Sequence, residues 1–157
     1  MEINKLKSFL FPIWILLLAG LLMTSCDKSK LSKTSIDNFL GTWELKGRPM
    51  FDGIQIEIKE ESDGNLTARV ITLNDNKYVR MFVEPNNVWV TEISRISNYE
   101  FMLIEKRLGS ELFSIYDLPT TSEYKVVFID KNTIALGVNG TDPYDSKLKY
   151  IRIEQKQ

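Results

Sequence analysis

Few side chains in this sequence could do chemistry at an active site. The 157 residues contain no histidine and a single cysteine, Cys26. Catalysis by a Ser-His-Asp triad or a Cys-His pair is therefore excluded, as is zinc held through histidine. No glycine-rich phosphate loop precedes a helix. We expect a non-catalytic protein that uses neither a cofactor nor a metal.

Oxygen-bearing side chains gather in two loops. Glu60, Glu61 and Asp63 border a turn, and a solvated hairpin tip is the simplest interpretation of them. The loop 139–145 holds side chains of the kind that bind calcium, but it lacks the spacing and the closing glutamate of an EF-hand. A turn-rich connection is the favoured interpretation there, and calcium binding is the alternative. A glycosidase-type carboxylate pair forms in space, so spacing along the chain does not test it.

The first 25 residues predict a secretory signal peptide. A basic segment with Lys5 and Lys7 is followed by an apolar run of 15 residues, 9–23, and then by Thr24 and Ser25. The apolar run is shorter than the roughly 20 residues that a helix needs to cross the hydrocarbon core. An uncleaved anchor helix is therefore the less favoured alternative.

The end of this segment, Met23-Thr24-Ser25-Cys26, resembles the lipobox of bacterial lipoproteins. In that family the cysteine thiol is acylated with diacylglycerol, signal peptidase cuts before it, and the freed amine is acylated as well. The resemblance implies a lipid on Cys26 that anchors the protein in a bilayer, because several acyl chains give stable attachment. It also implies a place in the bacterial cell envelope.

The segment 26–38 is polar and without an apolar period, which predicts a flexible tether. Asp27, directly after the cysteine, resembles an inner-membrane retention signal of enteric bacteria. In Bacteroidetes, acidic and lysine residues at this place resemble a surface-export signal instead. We favour the outer membrane, at its periplasmic face or at the cell surface.

The remainder, 39–157, predicts one all-β domain. Short segments rich in β-branched and aromatic residues alternate with turns. Ile54, Ile56 and Ile58, for example, share one face of a strand. Ten strands are predicted, at 40–46, 54–60, 66–73, 78–83, 88–96, 99–107, 112–116, 123–129, 133–138 and 148–154. A helix over 88–98 is an alternative, which its β-branched content disfavours.

Short connections between these segments favour an antiparallel meander. A meander of 8–10 strands removes both of its edges by closing into an up-and-down barrel. A two-sheet sandwich is the rival architecture, and the pattern alone does not decide between them.

The first strand contains Gly41-Thr42-Trp43, which resembles the Gly-x-Trp signature of lipocalins and of their bacterial lipocalin-like relatives. In that family the tryptophan plugs the closed end of the barrel, and an arginine from the last strand packs over it. Arg152 stands in the matching place. Small lipocalin-like domains behind bacterial lipoprotein signals, as in Bacteroidetes, are the more similar group. The resemblance implies a barrel-end cluster of Gly41, Trp43 and Arg152.

Aromatic residues of the middle strands are the candidate ligand contacts, and core filling is the alternative use for them. The candidates are Tyr78, Phe82, Trp89, Phe101, Tyr116 and Phe128. The favoured function is binding of a small hydrophobic ligand inside the barrel. The alternative is a macromolecule-binding module of the envelope with a filled core. The net charge of −1 and the lack of a basic block argue against nucleic acid as a partner, and the sequence gives no indication of oligomeric state.

Overall fold

Eight antiparallel strands close into a barrel in the computed structural model, which describes residues 33–138 and 140–154. The strands are β1 Gly41–Lys46, β2 Gln55–Glu60, β3 Leu66–Thr72, β4 Val88–Arg95, β5 Glu100–Lys106, β6 Thr121–Asp130, β7 Thr133–Gly137 and β8 Lys149–Arg152. Each strand pairs with the next along the chain, and β8 pairs with β1. The predicted lipocalin-like, up-and-down barrel is confirmed with eight strands.

Side chains of the strands alternate between the barrel interior and its surface. Ile54, Ile56 and Ile58 are buried, as their spacing predicts. In β5, Phe101, Leu103 and Glu105 are buried, whereas the residues between them are partly exposed. The alternation therefore places a carboxylate on the same inward face as two large apolar side chains.

The predicted strand 78–83 is wrong, because this segment forms a helix, α1, at Lys77–Phe82. Asn76 begins the helix, since its side chain accepts hydrogen bonds from the backbone N–H groups of Tyr78 and Val79. Val79 alone in the helix is buried. The aromatic and β-branched content that suggested a strand here is overridden by the local cap.

The predicted strand 112–116 is also wrong, because residues 112–115 belong to a second helix, α2, at Ser110–Ile115, and Tyr116 follows it directly. Gly109 precedes it with φ of +71°, a left-handed conformation that glycine adopts readily. By contrast, the segment 88–98, for which helix was the alternative, forms all of β4 and most of the turn after it.

The two ends of the barrel differ in their connections. Short turns join β2 to β3, β4 to β5 and β6 to β7 at one end, which we call the closed end. The other connections lie at the opposite, open end, where α1 and α2 belong to two of them. A 3-10 helix, Ile36–Phe39, leads into β1 at the closed end, and another, Pro143–Asp145, lies at the open end. The described residues from Lys33 onward form one compact unit with its own core, which should fold by itself.

Aromatic side chains fill the closed end of the barrel. The ring of Phe39 contacts those of Phe101 and Phe128, with centroids 4.9 and 4.6 Å away. Trp43 is fully buried beside them, and its Nε1–H donates to the carbonyl of Phe39 at 2.7 Å. This half of the interior is therefore occupied by the protein's own core.

Arg152 and Trp43 face each other across the β1–β8 pairing. The guanidinium carbon of Arg152 lies 4.1 Å from the centroid of the Trp43 ring, the contact that the lipocalin resemblance implies. The same guanidinium donates to the carbonyls of Leu40, at 2.8 Å, and Asn38. Gly41 has φ of +118°, and a Cβ there would lie 2.9 Å from Nη1 of Arg152. The close approach of the arginine thus depends on glycine.

The predicted signal peptide (1–25), Cys26 and most of the tether (26–38) lie outside the described residues. No helix in the part of the chain that the structure describes has the length and apolar character needed to cross a membrane.

Candidate functional site

A recess of about 290 Å³ lies at the open end of the barrel. Four of its lining residues are apolar and come from three separate parts of the chain. Phe51 lies between β1 and β2, Trp89 is in β4, and Leu108 and Phe113 belong to the connection that contains α2. The rings of Phe51 and Trp89 meet nearly edge-on, with centroids 5.5 Å apart. These side chains offer an apolar surface to a bound molecule.

Polar side chains meet in the interior next to this apolar surface, and we call Arg48, Trp89, Glu105, Tyr124 and Tyr150 the polar cluster. Nη1 of Arg48 donates to Oε2 of Glu105 at 2.9 Å, and Nη2 of Arg48 donates to the hydroxyl of Tyr124 at 2.8 Å. The hydroxyl of Tyr150 donates to Oε1 of Glu105. Nε1–H of Trp89 donates to the hydroxyl of Tyr150 at 2.8 Å.

The barrel geometry brings these residues together from distant parts of the chain. Glu105 pairs with Ser122 in β6, two residues before Tyr124, so both side chains lie near the open end of adjacent strands. Arg48 comes from the connection after β1, and its guanidinium carbon lies 5.3 Å from the centroids of both Phe51 and Tyr124. Contact with two rings and two hydrogen-bond acceptors holds this loop side chain over the recess.

Glu105 is only 1% exposed, so its charge is removed from water. Burying a carboxylate costs several kcal/mol unless a cation and hydrogen bonds compensate. Arg48 supplies the cation, and the two oxygens of Glu105 each accept a hydrogen bond. Across the described residues, every buried side-chain nitrogen and oxygen has a hydrogen-bond partner. The polar cluster is thus a satisfied network.

The cluster changes the acidity of its members. Burial, and then the charge of Glu105, raise the pKa of Tyr150 well above its ordinary value. The same two causes raise the pKa of Tyr124. Burial alone would lower the pKa of Arg48, but the charge of Glu105, the two neighbouring tyrosines and the hydrogen bond to Glu105 together outweigh burial, and the pKa is raised. Both phenols therefore keep their protons, and the guanidinium its charge, at neutral pH.

Four of the six predicted ligand contacts lie away from the recess. Phe101 and Phe128 pack against each other at the closed end. They therefore fill the core, which was the alternative use predicted for them. Tyr78 in α1 and Tyr116 just after α2 are 53% and 74% exposed. The six aromatic residues are therefore not brought together into one site.

The other two candidates, Phe82 and Trp89, lie at the open end. They share a smaller depression of about 140 Å³ with Gly109 and Ser110 at the start of α2. Trp89 also lines the larger recess, which makes it the one predicted contact found there.

Sequence reasoning missed the charged and phenolic part of the site. Glu105 gave a detectable signal, since a carboxylate follows Phe101 and Leu103 at the period of one strand face. Tyr124 and Tyr150 lie in correctly predicted strands, but the sequence pattern does not determine which face of those strands points into the barrel. Arg48 lies in a connection without periodicity, and no local pattern predicts that it reaches Glu105.

Among residues 33–138 and 140–154, no group of three or more cysteine or acidic side chains is placed so that it could hold a metal ion. In the loop 139–145, the Asp142 side chain accepts a hydrogen bond from the backbone N–H of Tyr144 and so caps the short 3-10 helix there. What the site offers is a mixed apolar and hydrogen-bonding surface.

Comparison with known proteins finds no matching family model, no matching curated protein and no matching solved structure.

Proposed function

We propose that this chain is a lipid-anchored protein of the bacterial cell envelope whose barrel binds a small, mostly apolar molecule without transforming it. The observation that carries the proposal is the recess at the open end, bordered by Phe51, Trp89, Leu108 and Phe113. Because aromatic residues fill the closed half, the ligand would enter from the open end. A volume of about 290 Å³ falls at the lower limit of ligand pockets, roughly 300 Å³, so a compact ligand is favoured.

A fluorescence titration tests this binding. A soluble form beginning at Asp27 would be titrated with the neutral apolar probe N-phenyl-1-naphthylamine, and native mass spectrometry would examine co-purifying molecules. We expect saturable binding that Leu108→Trp, which fills the recess, weakens about tenfold or more. Ile96→Trp is the matched control, because Ile96 is exposed in the turn between β4 and β5 at the closed end. The absence of saturable binding to the probe and to a broad panel of lipids and metabolites would contradict the proposal.

A second candidate function, binding of an envelope protein, is favoured by apolar side chains exposed around the open end. These side chains, which we call the apolar helix surface, are Met81, Phe82, Leu112, Ile115, Tyr116 and Leu118. The end of α1 lies close to the start of α2, since Phe82 and Gly109 border the same depression. Several large apolar side chains exposed on one end of a protein often mark an interaction site.

Site-specific crosslinking tests the second candidate in the full chain within its own membrane. A photoreactive amino acid would replace Ile115, which is 72% exposed, and in a matched strain Ile96, which is 49% exposed. Binding of one protein through the apolar helix surface predicts a discrete crosslinked product from position 115 and none from position 96. The same pattern of products from both positions would argue against it.

A further inference from the structure

The charged residues that line the recess carry an excess of positive charge. They are Arg48, Glu105, Lys106 and Arg107. The carboxylate of Glu105 is engaged by Arg48, so the charges of Lys106 and Arg107 remain. Nζ of Lys106 lies 3.7 Å from Oε1 of Glu111, but both side chains are exposed. An exposed ion pair of this kind contributes little to stability and does little to neutralise the lysine.

The hydrogen-bonding groups at the recess are also predominantly donors. Both oxygens of Glu105 already accept hydrogen bonds, and the single N–H of the Trp89 ring is used by Tyr150. Arg107 uses Nε to reach the hydroxyl of Ser122 at 3.1 Å, which leaves its two terminal nitrogens for another acceptor. The hydroxyl of Tyr124 is already engaged, because it accepts a hydrogen bond from Arg48 and also bonds to the side chain of Ser122.

We propose that the ligand of this recess is a small amphipathic anion, with its apolar part against Phe51, Leu108 and Phe113 and its anionic group near Lys106 and Arg107. This inference rests on the proposed function and adds the chemical class of the ligand. An anionic group is an acceptor only, which matches the donors that the recess presents. A planar guanidinium can also bind a carboxylate, sulfonate or phosphate through two nitrogens at once.

The geometry assigns distinct roles to the three cations. Arg48 is committed to Glu105 and Tyr124 and holds the polar cluster together. Lys106 and Arg107 are exposed at the end of β5 and just after it, where a ligand would reach them without breaking a buried ion pair. We therefore expect ligand charge to be recognised by Lys106 and Arg107, whose replacement should leave the fold intact.

A matched pair of probes tests this inference. 8-Anilinonaphthalene-1-sulfonate and N-phenyl-1-naphthylamine share an aromatic skeleton, but only the first is anionic. We expect the soluble form beginning at Asp27 to bind the anionic probe about tenfold more tightly than the neutral probe. The double variant Lys106→Gln with Arg107→Gln should lose about tenfold in affinity for the anionic probe and stay within about twofold for the neutral one.

The control is the double variant Lys59→Gln with Lys131→Gln, which changes net charge by the same amount at exposed positions near the closed end. It should leave both affinities unchanged, and thermal unfolding should verify that all variants fold. Equal wild-type affinity for the two probes, or an equal loss of both in the Lys106 and Arg107 variant, would overturn the anion proposal while the binding function stands. Failure of both probes and of the broad panel of lipids and metabolites to bind would overturn the binding function and this inference with it.

Discussion

Arg48 and Glu105 form an ion pair with an N–O distance of 2.9 Å, although 57 residues separate them in the sequence. The pair connects a loop at the open end to the interior face of β5. It thereby orders the wall of the recess that contains Phe51, because Arg48 also lies over that ring. The recess and the stability of the barrel therefore depend on the same contact.

Removing one member of this pair should destabilise the protein more than removing both. Arg48→Met leaves the buried carboxylate without its cation and should lower the free energy of unfolding by about 2–4 kcal/mol, allowing for the partial exposure of Arg48. Adding Glu105→Gln removes the charge and retains an acceptor for Tyr150, so more than half of the loss should be recovered. Urea unfolding of the two single variants and the double variant measures the coupling. Additive losses would show that the pair does not act as a unit.

The raised pKa values of Tyr150 and Tyr124 predict a loss of stability at alkaline pH. Both phenols have an ordinary pKa of 10.0, which burial and the charge of Glu105 raise in the folded protein. Above about pH 10 the unfolded chain releases these protons while the folded chain retains them. The contribution of the two phenols to the free energy of unfolding should be constant below that pH and fall above it, by up to about 1.4 kcal/mol per pH unit for each tyrosine.

Urea unfolding between about pH 8 and pH 11 would measure this slope. Tyr150→Phe should reduce it, since the variant removes the most deeply buried phenol of the polar cluster. Tyr78→Phe is the control, because it removes a phenol that is 53% exposed. An equal slope in wild type and Tyr150→Phe would be inconsistent with a buried, protonated Tyr150.

Arg152 should stabilise the closed end through both its charge and its hydrogen bonds. Arg152→Met removes the contact with the Trp43 ring and the donors to Leu40 and Asn38. We expect a loss of about 1–3 kcal/mol in the free energy of unfolding. Arg152→Lys should recover part of it, because the cation remains but the planar fork is lost. A Met variant as stable as wild type would show that the contact is incidental.

The barrel was predictable because its signals are local. The alternation of Ile54, Ile56 and Ile58 predicts a half-buried strand within five residues, and short turns between strands predict that neighbours are antiparallel. The six-residue helices were not predictable in the same way. In α1 the decisive contact is the cap from Asn76 to two backbone groups, whereas the aromatic and β-branched residues of the segment suggested a strand.

The site was harder to predict because it depends on register and on one loop. Trp89 was identified as a candidate contact, but an aromatic residue gives the same sequence signal whether it lines a recess or, like Phe101, fills the core. Arg48 reaches Glu105 and Tyr124 only after the barrel has closed. Long-range contacts of this kind produce no periodic pattern in the sequence from which they could be predicted.

The proposed lipid anchor makes a prediction that is independent of the barrel. Cys26 is the single cysteine of the chain, so Cys26→Ala removes the one thiol that can be acylated. Wild-type protein expressed in a bacterial host should incorporate labelled fatty acid and fractionate with membranes, because more than one acyl chain gives stable attachment. The variant should lose the label.

The matched control is Ser25→Ala, which keeps the thiol and a small residue before it, and should retain both the label and the membrane fractionation. Urea unfolding of a form that begins at position 26 should be the same with cysteine or alanine there, since the buried core of the barrel begins at Phe39. Persistent labelling of Cys26→Ala would show that lipid is attached elsewhere. Membrane fractionation without any label in the wild type would instead favour an uncleaved apolar segment as the anchor.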